Sequence, residues 1–147
     1  MTVYRRFGGR DALVDALIAR EFQSCVAELD AASPVDAPIT DQVAAGLRTA
    51  LRLSRSHPLL SRLARTEPDV VLAAFEDGAL LQACTTYLAG RLHAAQAAGV
   101  FTPNAPVEEL AELLVRVSAS FVLLPRSGMD LDDPDLGRRL LGPLVSG

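Results

Sequence analysis

The sequence contains neither tryptophan nor lysine, so all 14 basic side chains among its 147 residues are arginines. Aromatic residues make up only 5% of the chain, and alanine and leucine dominate a composition that is half apolar. Such a composition favours helices over strands. A chain of this length is suited to one folded body with a single core.

Cysteine is scarce and carries no recognisable pattern. Cys25 and Cys84 lie far apart in the sequence, each in apolar surroundings. This separation matches neither a metal-binding spacing nor a disulfide framework. We interpret both cysteines as reduced core residues.

Long apolar runs are absent. Uncharged stretches such as 78–90 and 117–125 are shorter than the roughly 20 residues of a transmembrane helix or are interrupted by glycine and proline. The early arginines Arg5, Arg6 and Arg10 are not followed by the continuous apolar segment of a signal peptide. We therefore expect a cytoplasmic protein with no membrane partner.

Motifs for catalysis and metal binding are also lacking. The sequence has no glycine-rich phosphate loop, no metal-binding helix of the His-x-x-Glu type and no serine elbow. His57 and His93 are isolated, with no cysteine or carboxylate at ligand spacing. We expect neither an enzyme nor a bound metal or cofactor.

Charge is divided unevenly along the chain. Residues 1–20 hold four arginines against two aspartates, a charge of +2, whereas residues 67–147 hold five arginines against eleven acids, a charge of −6. An acidic body repels polyanions. Any contact with nucleic acid is therefore confined to the N-terminal end.

Apolar residues recur at helical spacing along almost the whole chain and predict an all-α helical bundle. A stripe of apolar residues predicts a long helix over 11–30: Val14, Ile18, Phe22, Cys25 and Leu29. Further helices are predicted over these ranges: 40–56, 59–65, 67–77, 79–98, 107–124 and a terminal segment after Asp133-Pro134.

Prolines, glycines and threonines mark the expected helix ends. His57-Pro58 and Gly99 are predicted to end helices, and Gly142-Pro143 is predicted to stop the last one. Thr40 and Thr66 are predicted to cap the helices that follow them.

The last two helices carry more apolar residues than the core of one small bundle needs. A surface between two subunits is a natural use for this excess, although the same residues could pack inside one chain. The residues that we expect in a homodimer interface are Leu110, Leu113, Leu114, Val117, Phe121, Leu136 and Leu140.

The opening residues 2–7, Thr-Val-Tyr-Arg-Arg-Phe, make about one and a half helical turns, and an isolated helix that short is unstable in water. Val3 and Phe7 share one face, whereas Arg5 and Arg6 project elsewhere. One side therefore suits burial, and the other suits a polar, anionic partner.

Residues 2–17, Thr-Val-Tyr-Arg-Arg-Phe-Gly-Gly-Arg-Asp-Ala-Leu-Val-Asp-Ala-Leu, resemble the end of the DNA-binding domain of tetracycline-repressor (TetR) family regulators. The family pattern is Thr-x-Tyr-x-x-Phe, a short turn, a basic residue, an acidic residue and an apolar helix. The remaining chain is similar in helix order and length to the family's ligand-binding body. The resemblance implies that 1–10 is the end of a helix-turn-helix domain, 11–30 a linker helix and 31–147 a ligand-binding and dimerisation domain.

Two helices and a turn that normally precede the recognition helix in this family have no counterpart in the sequence. Without them Val3 and Phe7 lose packing partners, and we expect residues 1–8 to be poorly ordered or to stack against a non-native surface.

The resemblance also implies contacts with a double-stranded DNA operator, provided that the full head is present. Thr2 and Tyr4 would touch the DNA backbone or thymine methyl groups, Arg5 or Arg6 a base edge or phosphate, and Arg10 a phosphate. Charge and geometry point the same way for the arginines, because free amide groups at a helix start together with Arg10 suit a phosphate. Arg5 and Arg6 could instead form a solvated helix face.

The resemblance also implies a small-molecule effector that binds inside the body. In the family such a ligand shifts the linker helix and changes the spacing of the recognition helices. An apolar pocket suggests a mainly hydrophobic or aromatic ligand, although each candidate could be plain core. The candidate wall residues are Phe22, Leu51, Leu72, Phe75, Cys84, Tyr87, Leu88, Arg91 and Phe121.

Two function classes therefore remain open. The first is a TetR-like transcriptional regulator, a repressor, controlled by a small ligand. The second is a dimeric helical module that binds a ligand or protein but not DNA, because only half of a helix-turn-helix is present. Steep salt dependence of sequence-specific DNA binding would separate the first from the second.

Overall fold

The computed structural model describes residues 10–76 and 79–146. Over these residues the chain is helical, without strands, and the all-α prediction is confirmed there. Within the same ranges, no helix has the length and apolar character needed to span a bilayer. The helices are α1 (Arg10–Ala32), α2 (Ile39–Ser56), α3 (Pro58–Thr66), α4 (Pro68–Glu76), α5 (Ala79–Ala97), α6 (Val107–Leu123) and α7 (Leu136–Val145).

Helix α2 packs against α1, α3, α6 and α7 and forms the middle of the bundle. Its apolar residues recur at every fourth position, so they form one stripe along the helix. This stripe meets buried side chains of α5, α6 and α7 in the main core. The residues at its centre are Ile39, Val43, Leu47, Leu51, Leu92, Ala95, Leu110, Ala111, Leu114, Leu141 and Val145.

A second, smaller core joins α1 to α3 and α4. It consists of Ile18, Leu63, Val71 and Ala74. Among the side chains of α1 that the structure describes, only Ile18 is fully buried. Helix α1 is therefore attached to the body by much less apolar burial than α2.

Two predicted helix ends are confirmed by the backbone geometry. Helix α2 ends at Ser56, and His57 is extended at φ −73° and ψ 118°, as expected of a residue before proline. Gly99 has φ 77°. Its N–H donates to Gln96 O at 3.1 Å, and the N–H of Val100 donates to Ala95 O at 3.0 Å. This pair of bonds is a Schellman motif, which requires the left-handed conformation that glycine adopts without strain.

The predicted caps are wrong. Helix α2 begins before Thr40, at Ile39, with Pro38 as its N-cap and no side-chain cap bond. Thr66 belongs to the end of α3, where its hydroxyl donates to Arg62 O at 2.8 Å. A proline lies at both helix starts, as the N-cap of α2 and as the first residue of α4, where its fixed φ is compatible with the beginning of a helix.

The predicted end of the last helix is also wrong, because α7 continues through Pro143 to Val145. The proline sits in the last turn and removes one N–H, while the next bond, from Ser146 N–H to Gly142 O at 2.9 Å, is kept. At its start the N-cap is Asp135, two residues after Asp133. Asp133 instead accepts the Asp135 N–H at 2.9 Å and forms the turn before the helix.

Candidate ligand-binding site

A half-open cavity of about 240 Å³ lies between the helices of the body. Helices α1, α2, α4, α5, α6 and α7 all contribute to its wall, and nearly all of the exposed wall is apolar. An apolar cavity of roughly 150 Å³ already accepts benzene. The space is therefore large enough for a small hydrophobic or aromatic molecule.

Six of the nine residues that the sequence suggested for a ligand pocket lie in this wall. They come from three helices: Phe22 from α1, Phe75 from α4, and Cys84, Tyr87, Leu88 and Arg91 from α5.

The other three lie elsewhere. Leu51 is buried in the main core, and its neighbours Leu47 and Ala50 line the cavity instead. Leu72 is exposed on α4. Phe121 packs against the main core, because α6 turns a different face, centred on Ser118 and Val122, to the cavity.

Sequence reasoning missed the small and polar wall residues. Gln42, Gly46 and Ala50 form a line at every fourth position of α2, and Ser118 and Ala119 lie on α6. Small residues inside an otherwise bulky buried stripe leave unfilled space. That spacing was a usable signal, since Gln42, Gly46 and Ala50 share the buried face with Val43 and Leu47.

Arg91 provides the charged group of the cavity. Its side chain is only 14% exposed. The Nη2 group donates to Gln42 Oε1 at 3.1 Å and to the backbone oxygen of Ser33, while Nη1 lies 3.6 Å from Asp30 Oδ1. The side-chain amide of Gln42 donates in turn to the loop carbonyls of Val35 and Ala37, at 2.9 and 2.8 Å. A network of hydrogen bonds thus fixes this end of the cavity.

Tyr87 connects the same end of the cavity to α1. Its hydroxyl donates to Asp30 Oδ1 at 2.7 Å, and its ring meets Phe22 edge to face, with centroids 6.5 Å apart and an interplanar angle of 88°. Burial and the hydrogen bond to Asp30 raise the pKa of Tyr87 above its ordinary value. The phenol therefore stays a neutral hydrogen-bond donor at physiological pH.

Both cysteines are free thiols and half-buried. Burial raises the pKa of Cys84 to about 11, and the pKa of Cys25 is also raised, by burial and by the nearby Glu28 and Glu21 carboxylates. Only the thiolate is a strong nucleophile. Cys84 therefore acts as a neutral, apolar part of the wall.

The predicted DNA-contacting residues Thr2, Tyr4, Arg5 and Arg6 lie outside the described residues, as does the expected disorder of 1–8. Arg10 is the first residue of α1.

The residues predicted for a dimer interface divide into two groups. Leu110 and Leu114 are buried in the main core, and Leu136 is buried as well, so these three are used inside the chain. Val117 and Phe121 are half-buried against that core. Leu113 and Leu140 are each 44% exposed. Only this exposed pair and the edges of the half-buried pair are open to a second subunit.

The described residues contain no group of three or more histidine, cysteine or acidic side chains that could hold a metal ion. His57 instead contacts Glu21 at 2.9 Å, and His93 contacts Glu108 at 3.0 Å. The half-exposed His93 interacts across the surface, whereas the His57 contact attaches the break between α2 and α3 to α1.

Comparison of the chain with protein-family models, with characterised proteins and with solved structures finds no match in any of the three.

Proposed function

We propose that this protein is a TetR-like transcriptional regulator, a repressor, whose binding to an operator responds to a small hydrophobic or aromatic molecule in the cavity. The observation that carries the proposal is the position of the cavity against α1. Phe22 and Leu29 of α1 form part of its wall, and α1 begins at Arg10, inside the motif of residues 2–17.

The weak attachment of α1 supports a coupling between cavity and DNA contact. Besides Ile18, its contacts with the body include the ion pair of Glu28 with Arg52 at 2.5 Å, in which both side chains are about half exposed. Exposed ion pairs of this kind contribute at most about 1 kcal/mol. A ligand that contacts α1 differently in two positions of the helix needs only about 1–3 kcal/mol of coupling free energy to change DNA affinity 5- to 150-fold.

Exposed apolar residues at the C-terminal end support the dimer that this function needs. Leu113 and Leu124 of the α6 segment and Leu140 of α7 are exposed. Two subunits related by a two-fold axis would present two recognition helices about 34–36 Å apart, one turn of DNA.

The proposal is tested with the product of the intact native gene and the DNA that flanks that gene. Fluorescence anisotropy compares this DNA with a scrambled duplex of equal composition, at low and high salt. We expect saturable, sequence-specific binding that weakens steeply with salt. The double variant Arg5→Ala/Arg6→Ala should lose it, whereas Arg126→Ala, at an exposed arginine in the loop before α7, should retain it.

Equal affinity for the two duplexes would overturn the proposal. Together with binding of small molecules in the cavity, that outcome would favour the second candidate, a helical module that binds a ligand without DNA. The cavity itself supports this candidate, because its wall is formed entirely within residues 22–141.

A further inference from the structure

Arg91 has more hydrogen-bond donors than the described residues use. A guanidinium carries five N–H donors. The two on Nη2 are engaged by Ser33 O and Gln42 Oε1. Nη1 lies 3.6 Å from Asp30 Oδ1, beyond hydrogen-bond distance, and in the described part of the chain Nε has no partner.

The Arg91 side chain is only 14% exposed, yet its unpaired nitrogens remain accessible to a ligand. Among the described residues, the fully buried side-chain polar atom that lacks a partner is Thr85 Oγ1 and not an Arg91 nitrogen. A buried cation is costly unless it is paired and its donors are satisfied. Asp30 compensates Arg91 only in part, since it is 52% exposed and already accepts the Tyr87 hydroxyl. The unused donors belong to a residue that lines the cavity.

We propose that the ligand of this cavity is a small apolar molecule with one carboxylate, and that Arg91 binds the carboxylate. A carboxylate can accept two parallel N–H bonds from one guanidinium, and such charge-assisted bonds are about twice as strong as neutral ones. This assignment deepens the proposed regulatory function and rests on it for its biological meaning.

The rest of the wall defines the body of the ligand. Phe22, Phe75 and Tyr87 surround the space with aromatic rings, and aliphatic side chains from α2 and α6 complete it. Because an apolar cavity of roughly 150 Å³ holds benzene, a cavity of about 240 Å³ is suited to a pair of fused rings. A bicyclic aromatic carboxylate therefore fits both the volume and the charge.

Asp30 connects this binding step to α1. It lies in the last turn of α1 and holds that helix to α5 through Tyr87 and Arg91. A ligand carboxylate at Nη1 would compete with Asp30 for the same cation. Occupied and empty cavities would then differ in how firmly the end of α1 is held.

The test measures binding directly, without DNA. Isothermal titration calorimetry of the full chain at pH 7 compares 2-naphthoate with its neutral isostere 2-naphthamide and with the cation 2-naphthylmethylamine. At this pH the carboxylic acid is ionised. We expect the acid to bind at least about tenfold more tightly than the amide, and the amine to bind most weakly.

Variants assign the preference to Arg91. Arg91→Gln should weaken the binding of the acid by about tenfold or more and leave the binding of the amide nearly unchanged. Arg91→Lys should also weaken the binding of the acid, because an ammonium cannot form the two parallel bonds. Asp30→Asn, which removes the competing anion, should tighten the binding of the acid. Arg116→Gln is the matched control, because Arg116 is exposed and pairs with Glu112 on its own helix.

Equal binding of acid and amide, an unchanged affinity in Arg91→Gln, or no binding of the acid up to ~1 mM would each overturn the assignment. If Arg91→Gln fails to fold, Arg91→Lys and Asp30→Asn decide, because both keep a polar group in place. Tight binding of the amide alone would show that the cavity takes a neutral ligand, and it would leave the regulatory proposal standing. Absence of operator binding, with the preference for the acid intact, would overturn only the regulatory proposal.

Discussion

Gly137 of α7 lies so close to Ala44 of α2 that a β-carbon at position 137 would come within 2.8 Å of the Ala44 Cα. Both residues are buried, and the approach lets the backbones of the two helices pack directly on each other. Leu136, Leu141 and Val145 lie in the same buried part of α7. This contact packs α7 directly on α2, whereas Leu140, three residues further along α7, stays exposed.

We expect Gly137→Ala to destabilise the protein by about 1–3 kcal/mol, because the new methyl group meets backbone that cannot move aside cheaply. The better helix propensity of alanine, up to about 1 kcal/mol, offsets this only in part. Gly90→Ala in α5 is the matched control, since nothing lies within 4 Å of a β-carbon there. Urea unfolding should show Gly90→Ala at or above wild-type stability, and a Gly137→Ala protein as stable as that control would contradict the close contact.

Helical periodicity was enough to predict the long helices, because a stripe such as Val43, Leu47 and Leu51 repeats with the helix and needs no knowledge of its neighbours. It was not enough to distinguish Leu51 from Ala50 as a cavity residue. Both lie on the wide buried face of α2, and only the positions of α5 and α6 decide which of them meets empty space. The same limit applies to Leu110 and Leu113, where one turn separates a core residue from an exposed one.

The stability of the protein should fall between pH 9 and pH 11 because of Cys84. Its pKa is raised from 9.0 to about 11 in the folded state. The unfolded chain therefore loses this proton first as the pH rises, and the stabilisation that is fully present below pH 9 disappears toward pH 11. By pH 10 the loss from this group is about 1 kcal/mol.

Urea unfolding at pH 8 and at pH 10 measures this loss, and the comparison with Cys84→Ala isolates the group, because alanine does not titrate. The variant is less stable at pH 8, since it removes buried wall, but it should lose less stability on going to pH 10. A pH dependence identical to that of the wild type would show that the thiol ionises as easily in the fold as in water.

Gly46 permits a separate test of the cavity. It belongs to the wall, and nothing lies within 4 Å of a β-carbon built there. Gly46→Ala should raise stability by up to about 1 kcal/mol through helix propensity. Gly46→Leu should fill part of the space and weaken 2-naphthoate binding by about tenfold or more.

A filled cavity and a damaged fold are distinguished by measuring both stability and 2-naphthoate affinity in the same variant. A variant that merely damages the fold lowers stability and binding together, whereas one that occupies the cavity lowers binding while the fold is retained. Thermal unfolding and calorimetry on the same samples check this, with Gly90→Ala as the control for helix propensity alone. Unchanged affinity in Gly46→Leu would mean that the probe binds elsewhere.

The proposed dimer is tested at Leu113, the exposed leucine of α6. Glutamate at this position would place two charges at a two-fold interface and should shift the protein from dimer to monomer, because an unpaired charge excluded from water is costly. Met129→Glu is the control: Met129 has a similar exposure but lies in the loop before α7. Analytical ultracentrifugation measures both variants across a concentration series, and circular dichroism verifies that their helices are intact. Since Leu113 is exposed in the single chain, its replacement should leave monomer stability nearly unchanged. A Leu113→Glu protein that remains dimeric would therefore place the subunit contact on another surface.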